Sequence, residues 1–177
     1  MNAPARRYRT PCGSTVEVDT DFSLHAYACV RRDDEALRSA VREEHALELP
    51  PPGRAVSAGG VTLMHAAPRR LLVEGGALAA TGRADLQATD IGDGLVRLRG
   101  RGRSLRAWLG RFMPLDMRRG ALAAGRVTWS EFLELRTLLH CLDDERFDLY
   151  LPASCLDDVV ASAIAFGALE PVAQPQA

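Results

Sequence analysis

Gly94-Leu95-Val96-Arg97-Leu98-Arg99-Gly100-Arg101 runs without interruption into Gly102-Arg103-Ser104-Leu105-Arg106-Ala107-Trp108-Leu109-Gly110-Arg111-Phe112-Met113-Pro114. The first segment alternates, with Leu95, Arg97, Arg99 and Arg101 on one side and Val96 and Leu98 on the other, which is the period of a strand. In the second, Leu105, Trp108, Leu109 and Phe112 recur at helical spacing. Ser104 is a candidate N-cap, and Pro114 ends the helix. Downstream, Val127 to Leu135 and Arg136 to Leu142 are predicted strands. A polar Asp143-Asp144-Glu145-Arg146 turn follows, then a strand from Phe147 to Leu151. Pro152 opens a last helix offering Leu156, Val159, Val160, Ala163, Ile164 and Phe166 for burial.

Upstream the same order holds. Ser23 to Arg31 alternates, with Leu24, Ala26, Ala28 and Val30 on one face. Asp33, Asp34 and Glu35 place acids at a helix N-terminus, and Leu37, Ala40 and Val41 follow, with Glu44 and Leu47 continuing the spacing. Pro50-Pro51-Pro52-Gly53 stops that helix. Strands at Arg54 to Ser57 and Val61 to Ala66 flank Gly59-Gly60, a two-residue hairpin turn. A short strand at Leu71 to Val73 and a weak helix from Ala77 to Leu86, containing Gly82, complete the half. The expected fold class is α+β: two similar split strand-helix-strand-strand-helix units packed together, with a period of 75 to 80 residues. The expected boundaries are a tail over 1–20, a domain over 21–169 with halves at 21–86 and 87–169, and a tail over 170–177.

The 177 residues are 47% hydrophobic and 25% charged, an ordinary globular composition. The 22 basic residues oppose 23 acids for a net charge of −1, and every basic residue is arginine. No lysine is present, which excludes Schiff-base chemistry, a lysine base and a Walker-type phosphate loop. Asn2 is the single asparagine, so no N-glycosylation acceptor exists. The N-terminal residues show no signal-peptide pattern and no apolar run is long enough to span a bilayer, so the expected location is the cytoplasm. Cys12, Cys29, Cys141 and Cys155 are scattered and read as reduced thiols, with no zinc spacing among them.

Chemistry-bearing patterns are sparse. Gly100-Arg101-Gly102-Arg103-Ser104-Leu105 follows a strand and opens a helix, but Leu105 stands where a dinucleotide fingerprint needs its third glycine. Eight arginines crowd into 97–119: Arg97, Arg99, Arg101, Arg103, Arg106, Arg111, Arg118 and Arg119. A protein contact surface, a solvated surface with internal ion pairs, and phosphate binding are the three readings of that concentration. The near-neutral net charge and the absence of a nucleic-acid module weigh against the last. Arg97, Arg99, Arg101 and Arg103 are the candidate partner-contact residues. No nucleophile, base and orienting group fall together around His25, His45, His65 or His140. His140 and Cys141 are adjacent on a strand and point to opposite faces. The expectation is no catalytic, cofactor-binding or metal-binding residue on this chain.

The second half carries a set of motifs. They are Asp90-Ile91-Gly92-Asp93-Gly94-Leu95-Val96-Arg97-Leu98, Met113-Pro114-Leu115-Asp116, Gly125-Arg126-Val127-Thr128, and Phe147-Asp148-Leu149-Tyr150-Leu151-Pro152-Ala153-Ser154. With Pro50-Pro51-Pro52-Gly53-Arg54 and Arg70-Leu71-Leu72-Val73 upstream, the chain from about Asp21 resembles the gamma subunit of heterotetrameric sarcosine oxidase. The resemblance implies a fold related to the folate-binding T-protein of glycine cleavage. It also implies a non-catalytic subunit of a complex that oxidatively demethylates sarcosine or a related N-methyl amino acid or secondary amine. The implied partners are large alpha and beta flavoprotein subunits and a small zinc-binding delta subunit, with no nucleic acid and no membrane. FAD, FMN, NAD, folate and zinc are implied on those partners and none on this chain. Two alternatives stay open: a gamma-type subunit of an N-methylglutamate dehydrogenase-like complex, and a self-standing folate- or anion-binding protein of the same fold.

Overall fold

A computed structural model describes residues 6–30, 34–78 and 83–172. The strands are β1 (Arg7–Arg9), β2 (Thr15–Asp19), β3 (Leu24–Cys29), β4 (Arg54–Ala58), β5 (Val61–Ala67), β6 (Arg70–Glu74), β7 (Leu86–Asp90), β8 (Leu95–Arg101), β9 (Arg126–Phe132), β10 (Leu135–Cys141), β11 (Arg146–Pro152) and β12 (Glu170–Pro171). The helices are α1 (Glu35–His45), α2 (Leu105–Leu109) and α3 (Leu156–Ala165). Every strand pairing given below by register is antiparallel, so the chain is α+β with its helices set on antiparallel sheet.

The chain divides into two compact units. The smaller comprises Asp21–Asp93 and Gly125–Thr128; the larger comprises Met1–Thr20, Gly94–Ala124 and Trp129–Ala177. In the smaller unit the strand order is β4-β5-β6-β3-β7. There α1 buries Leu37, Ala40 and Val41 with Tyr27 and Cys29 of β3, Leu63 of β5, and Leu71 and Val73 of β6. Burying a leucine or valine stabilises by about 1.5–3 kcal/mol, so this stripe anchors the helix. The helix ends at Ala46, whose φ of 52° is left-handed, before the prolines are reached. Gly59 and Gly60, at φ 59° and 83°, make the β4–β5 turn as expected.

In the larger unit the order is β12-β1-β2-β8-β11-β10-β9. Val96 and Leu98 face a core of Leu105, Trp108 and Leu109 from α2 and Val159, Val160 and Ala163 from α3. Trp108 is 3% exposed and donates its indole N–H to the Ala168 carbonyl at 3.0 Å, which fixes it as core.

The spacing of some strand starts recurs along the chain. β2 and β7 begin 71 residues apart (15 and 86), as do β3 and β8 (24 and 95). The first strand of each repeat pairs outside its own repeat: β2 with β8 (Asp19 opposite Arg97) and β7 with β3 (His25 opposite Asp90). The pairing of β2 with β8 makes the larger unit discontinuous in sequence, and Gly125–Thr128, where Arg126 pairs with Arg54 of β4, makes the smaller one so.

Several sequence-based expectations are corrected. Residues 1–20 were expected as a tail, yet β1 and β2 lie within them, and Val16 and Val18 are buried in the larger core. Glu170 and Pro171, also assigned to a tail, pair with β1. The weak helix over Ala77–Leu86 falls partly on 79–82, outside the described residues, and Leu86 starts a strand instead. Of Ser23–Arg31, Arg31 lies outside the described residues. In β3 the residues facing the helix are Tyr27 and Cys29, the opposite set from Ala26 and Ala28. The expected strand from Val127 to Leu135 stops at Phe132, where Leu133 and Glu134 turn the chain at φ 49° and 66°. Ser104 makes no side-chain cap; its hydroxyl donates to the Cys12 carbonyl at 2.9 Å.

Candidate functional site

Alternation along β8 puts Leu95, Arg97, Arg99 and Arg101 on the face away from α2 and α3, as the sequence implied. The four candidate arginines then part company. Arg97 is 4% exposed. Its Nη2 donates to Asp19 Oδ2 at 2.5 Å, and its Nη1 stands 3.9 Å from Asp148 Oδ2. Arg99 is half-buried, with Nε 3.3 Å from the same Asp19 oxygen. Arg101 and Arg103 are exposed, and Arg103 comes no closer than 3.7 Å to Glu145. Arg97 is therefore an internal group of this chain, held by a carboxylate from each neighbouring strand. Two guanidiniums and two carboxylates neutralise one another across β2, β8 and β11. Such an array fixes register and holds no group free to act as acid or base.

The glycine motif has a steric explanation at each glycine. A Cβ on Gly100 would lie 2.6 Å from Leu105 Cδ2. Gly102, at φ 137°, has Ser14 Oγ 2.5 Å from where its Cβ would stand. The space a pyrophosphate would need is filled by the chain's own Leu105 and Ser14, and Ser14 and Ser104 hydroxyls are 2.9 Å apart. A dinucleotide does not fit here, and α2 has only five residues.

Other chemistry-bearing residues are occupied structurally. Asp143 pairs with Arg146 at 2.5 Å and accepts the Glu145 and Arg146 backbone N–H groups, the work of a turn aspartate. Asp144 is shared by Arg106 at 3.2 Å and Arg119 at 3.1 Å. Cys141 is fully buried, and its desolvation pushes the thiol above its ordinary range despite Arg106 nearby. His140 and Cys141 do face opposite ways: Cys141 lies in the helix-covered core and His140 opposite Asp148 on the other face. His65, 1% exposed, has Nδ1 2.7 Å from the Pro50 carbonyl, with Nε2 3.8 Å from Asp34 Oδ2. Among the described residues no group of three or more His, Cys, Asp or Glu is arranged to hold a metal ion. No helix among them is long and apolar enough to cross a membrane.

Sequence reasoning missed two features. Trp129 is 41% exposed, and the Arg136 guanidinium stacks over its ring at 4.9 Å. An open groove beside α2 gathers Arg103, Arg106, Arg111 and Arg118. The arginine concentration signalled that groove, but the helical phase of five residues did not say which arginines would share it.

No family model and no curated protein matches the chain. Among solved structures it is similar to a chain of the heterotetrameric sarcosine oxidase from Corynebacterium sp. U-96, in complex with pyrrole 2-carboxylate. The two share 16% identity at a TM-score of 0.71, over 91% of this chain and 88% of the other. The chain has the fold of a component of that heterotetramer, the complex to which its sequence motifs also point.

Proposed function

We propose that this chain is a non-catalytic, gamma-type structural subunit of a heteromeric flavin-dependent complex that oxidatively demethylates sarcosine or a related N-methyl amino acid or secondary amine. The observation that carries the reading is the reciprocal coverage of the structural likeness. Nearly all of this chain aligns with nearly all of the other, so the matching component is of similar length and is built from this fold alone. The motif set from Asp90 to Ser154 supports the same assignment. The T-protein-like relationship and the placement of FAD, FMN, NAD, folate and zinc on partner subunits belong to this proposal. The internal pairing of Arg97, Arg99, Asp143 and Asp144 agrees with it, since those groups serve the chain's own architecture.

The test is coexpression with the products of the neighbouring genes. A large flavin-containing protein is expected to copurify with this chain in fixed ratio. Failure of any flavoprotein to copurify would remove the reading. Calorimetry with folate and the isolated chain separates the alternative: heat of binding from this chain alone would favour a self-standing folate-binding protein.

A further inference from the structure

Residues 94–124 carry eight arginines and one acid, Asp116, in a chain of net charge −1. The structure shows where that excess goes. Arg97 and Arg99 turn to Asp19, and Arg119 to Asp144. Arg106 is spent internally: its Nη1 donates to the Met117 and Leu122 carbonyls at 2.8 and 2.9 Å, and its guanidinium lies over Phe147. Arg118 clasps Asp116, whose carboxyl it holds down at about 2. Three charges remain. Among the described residues no carboxylate lies within ion-pair distance of Arg101 or Arg111, and Arg103, its side chain 94% exposed, has only Glu145 at 3.7 Å.

Arg103 and Arg111 flank an open groove of about 540 Å³ whose lining includes Ala107, Gly110, Leu115 and Met117. α2 turns Leu105, Trp108 and Leu109 into the core, which leaves Arg106, Ala107 and the capping Gly110 to line the groove with Asp116 and Arg118. A Cβ on Gly110 would stand 3.3 Å from Met117 Cγ, a close approach. We propose that this groove beside α2, with Arg103 and Arg111 at its rim, receives a carboxylate-rich segment of a partner protein. The proposal rests on the subunit reading above and names the chemistry of one contact. Charge complementarity selects the occupant. A single-stranded nucleic acid would call for an aromatic stacking platform, and no aromatic side chain is among the residues lining the groove. Because Arg103 and Arg111 are guanidiniums and the one lining carboxyl, Asp116, is held down at about 2 by Arg118, recognition is sensitive to salt and flat with pH from about 6 to 9.

The direct probe is a fluorescently labelled decaglutamate peptide titrated with the full chain. Binding in low salt is expected, weakening about tenfold or more at high salt and again about tenfold in an R103E/R111E double variant. An R38E/R42E variant, which reverses two exposed arginines of the smaller unit, should bind as the wild type does. No binding in low salt, an equal loss in the control variant, or tighter binding of oligo-dT than of decaglutamate would each overturn the proposal. Copurification separates it from the reading on which it rests. If R103E/R111E retains the flavoprotein as well as wild type in high salt, the groove proposal fails and the subunit reading stands. If wild type retains no flavoprotein yet binds decaglutamate through this groove, the subunit reading fails and the recognition of acidic segments stands.

Discussion

The β4–β5 hairpin of the smaller unit and the β9–β10 hairpin of the larger turn the chain in the same way with opposite chemistry. Gly59-Gly60 and Leu133-Glu134 both form two-residue turns at positive φ. Glycine adopts that conformation freely, whereas a side-chain-bearing residue is disfavoured there by roughly 1–2 kcal/mol. The larger unit offsets the strain with tertiary contacts: Leu133 packs on the core, and its N–H donates to the Phe112 carbonyl at 3.3 Å. The same contrast runs through the sheet faces away from the helices. In the smaller unit Leu24 and Ala26 occupy the positions that Leu95 and Arg97 hold in the larger. One topology is thus met once by local turn chemistry and apolar strands, and once by long-range contacts and buried charge.

The largest expected effect tests the charged face. Arg97→Ala leaves Asp19 and Asp148, both mostly buried, without their shared guanidinium, and should lower unfolding free energy by about 3–5 kcal/mol in urea titrations. A loss under about 1 kcal/mol would mean that the buried pairs contribute little to the larger unit. Next comes the strand-to-helix junction. Gly100→Ala forces a Cβ onto Leu105 and should cost about 1–3 kcal/mol. Gly94→Ala, with nothing within 4 Å, should stay within about 0.5 kcal/mol. In the smaller unit the residue 71 positions before Gly100 is Cys29, whose side chain is buried in the core with Leu37 and Val41.

The hairpins themselves can be exchanged. Gly60→Glu should destabilise by about 1–2 kcal/mol and Glu134→Gly should stabilise by a comparable or smaller amount, both read as shifts in thermal midpoint. Equal behaviour of the two turns would break the contrast. The smallest effect concerns the connections between helix and hairpin. The smaller unit uses Pro50-Pro51-Pro52, while the larger closes its loop with Asp116 and Arg118. Arg118 lowers the Asp116 carboxyl from an ordinary 3.8 to about 2 in the folded chain. Its contribution is therefore complete above pH 4 and is lost as pH falls toward 2. Asp116→Asn should therefore cost a little stability at pH 7 and flatten the acid limb of the stability curve, while below about pH 2 the variant should match the wild type. Unchanged stability at pH 7 with an unchanged acid limb would show that the pair contributes nothing to the fold.

Much of this architecture is readable from the sequence where the pattern is local. The Gly59-Gly60 turn, the stripe of α1, the alternation of β8 and the core position of Trp108 all follow from spacing within ten residues. The failures are non-local. β2 offers only Val16 and Val18 as an apolar period, and its strand state depends on β8, some 80 residues onward. β7 buries one residue, Leu86, and is held by β3. The β9–β10 turn carries no glycine or asparagine, so the sequence reading runs the first strand through it to Leu135 and starts the second at Arg136. An internal comparison at 71 residues would have exposed β2, because Asp19 and Leu24 recur as Asp90 and Leu95. The arginine spacing was likewise legible, but Arg97 is buried by its pairing with Asp19 on a strand that local patterning did not reveal.

The most direct test of the central claim is a side-by-side assay of the isolated chain and its copurified complex for flavin absorbance and N-methyl amine oxidation. The account predicts a colourless, inactive chain and a yellow complex that loses integrity when this chain is withheld. A flavin bound to the chain alone, or amine turnover by it, would contradict the account.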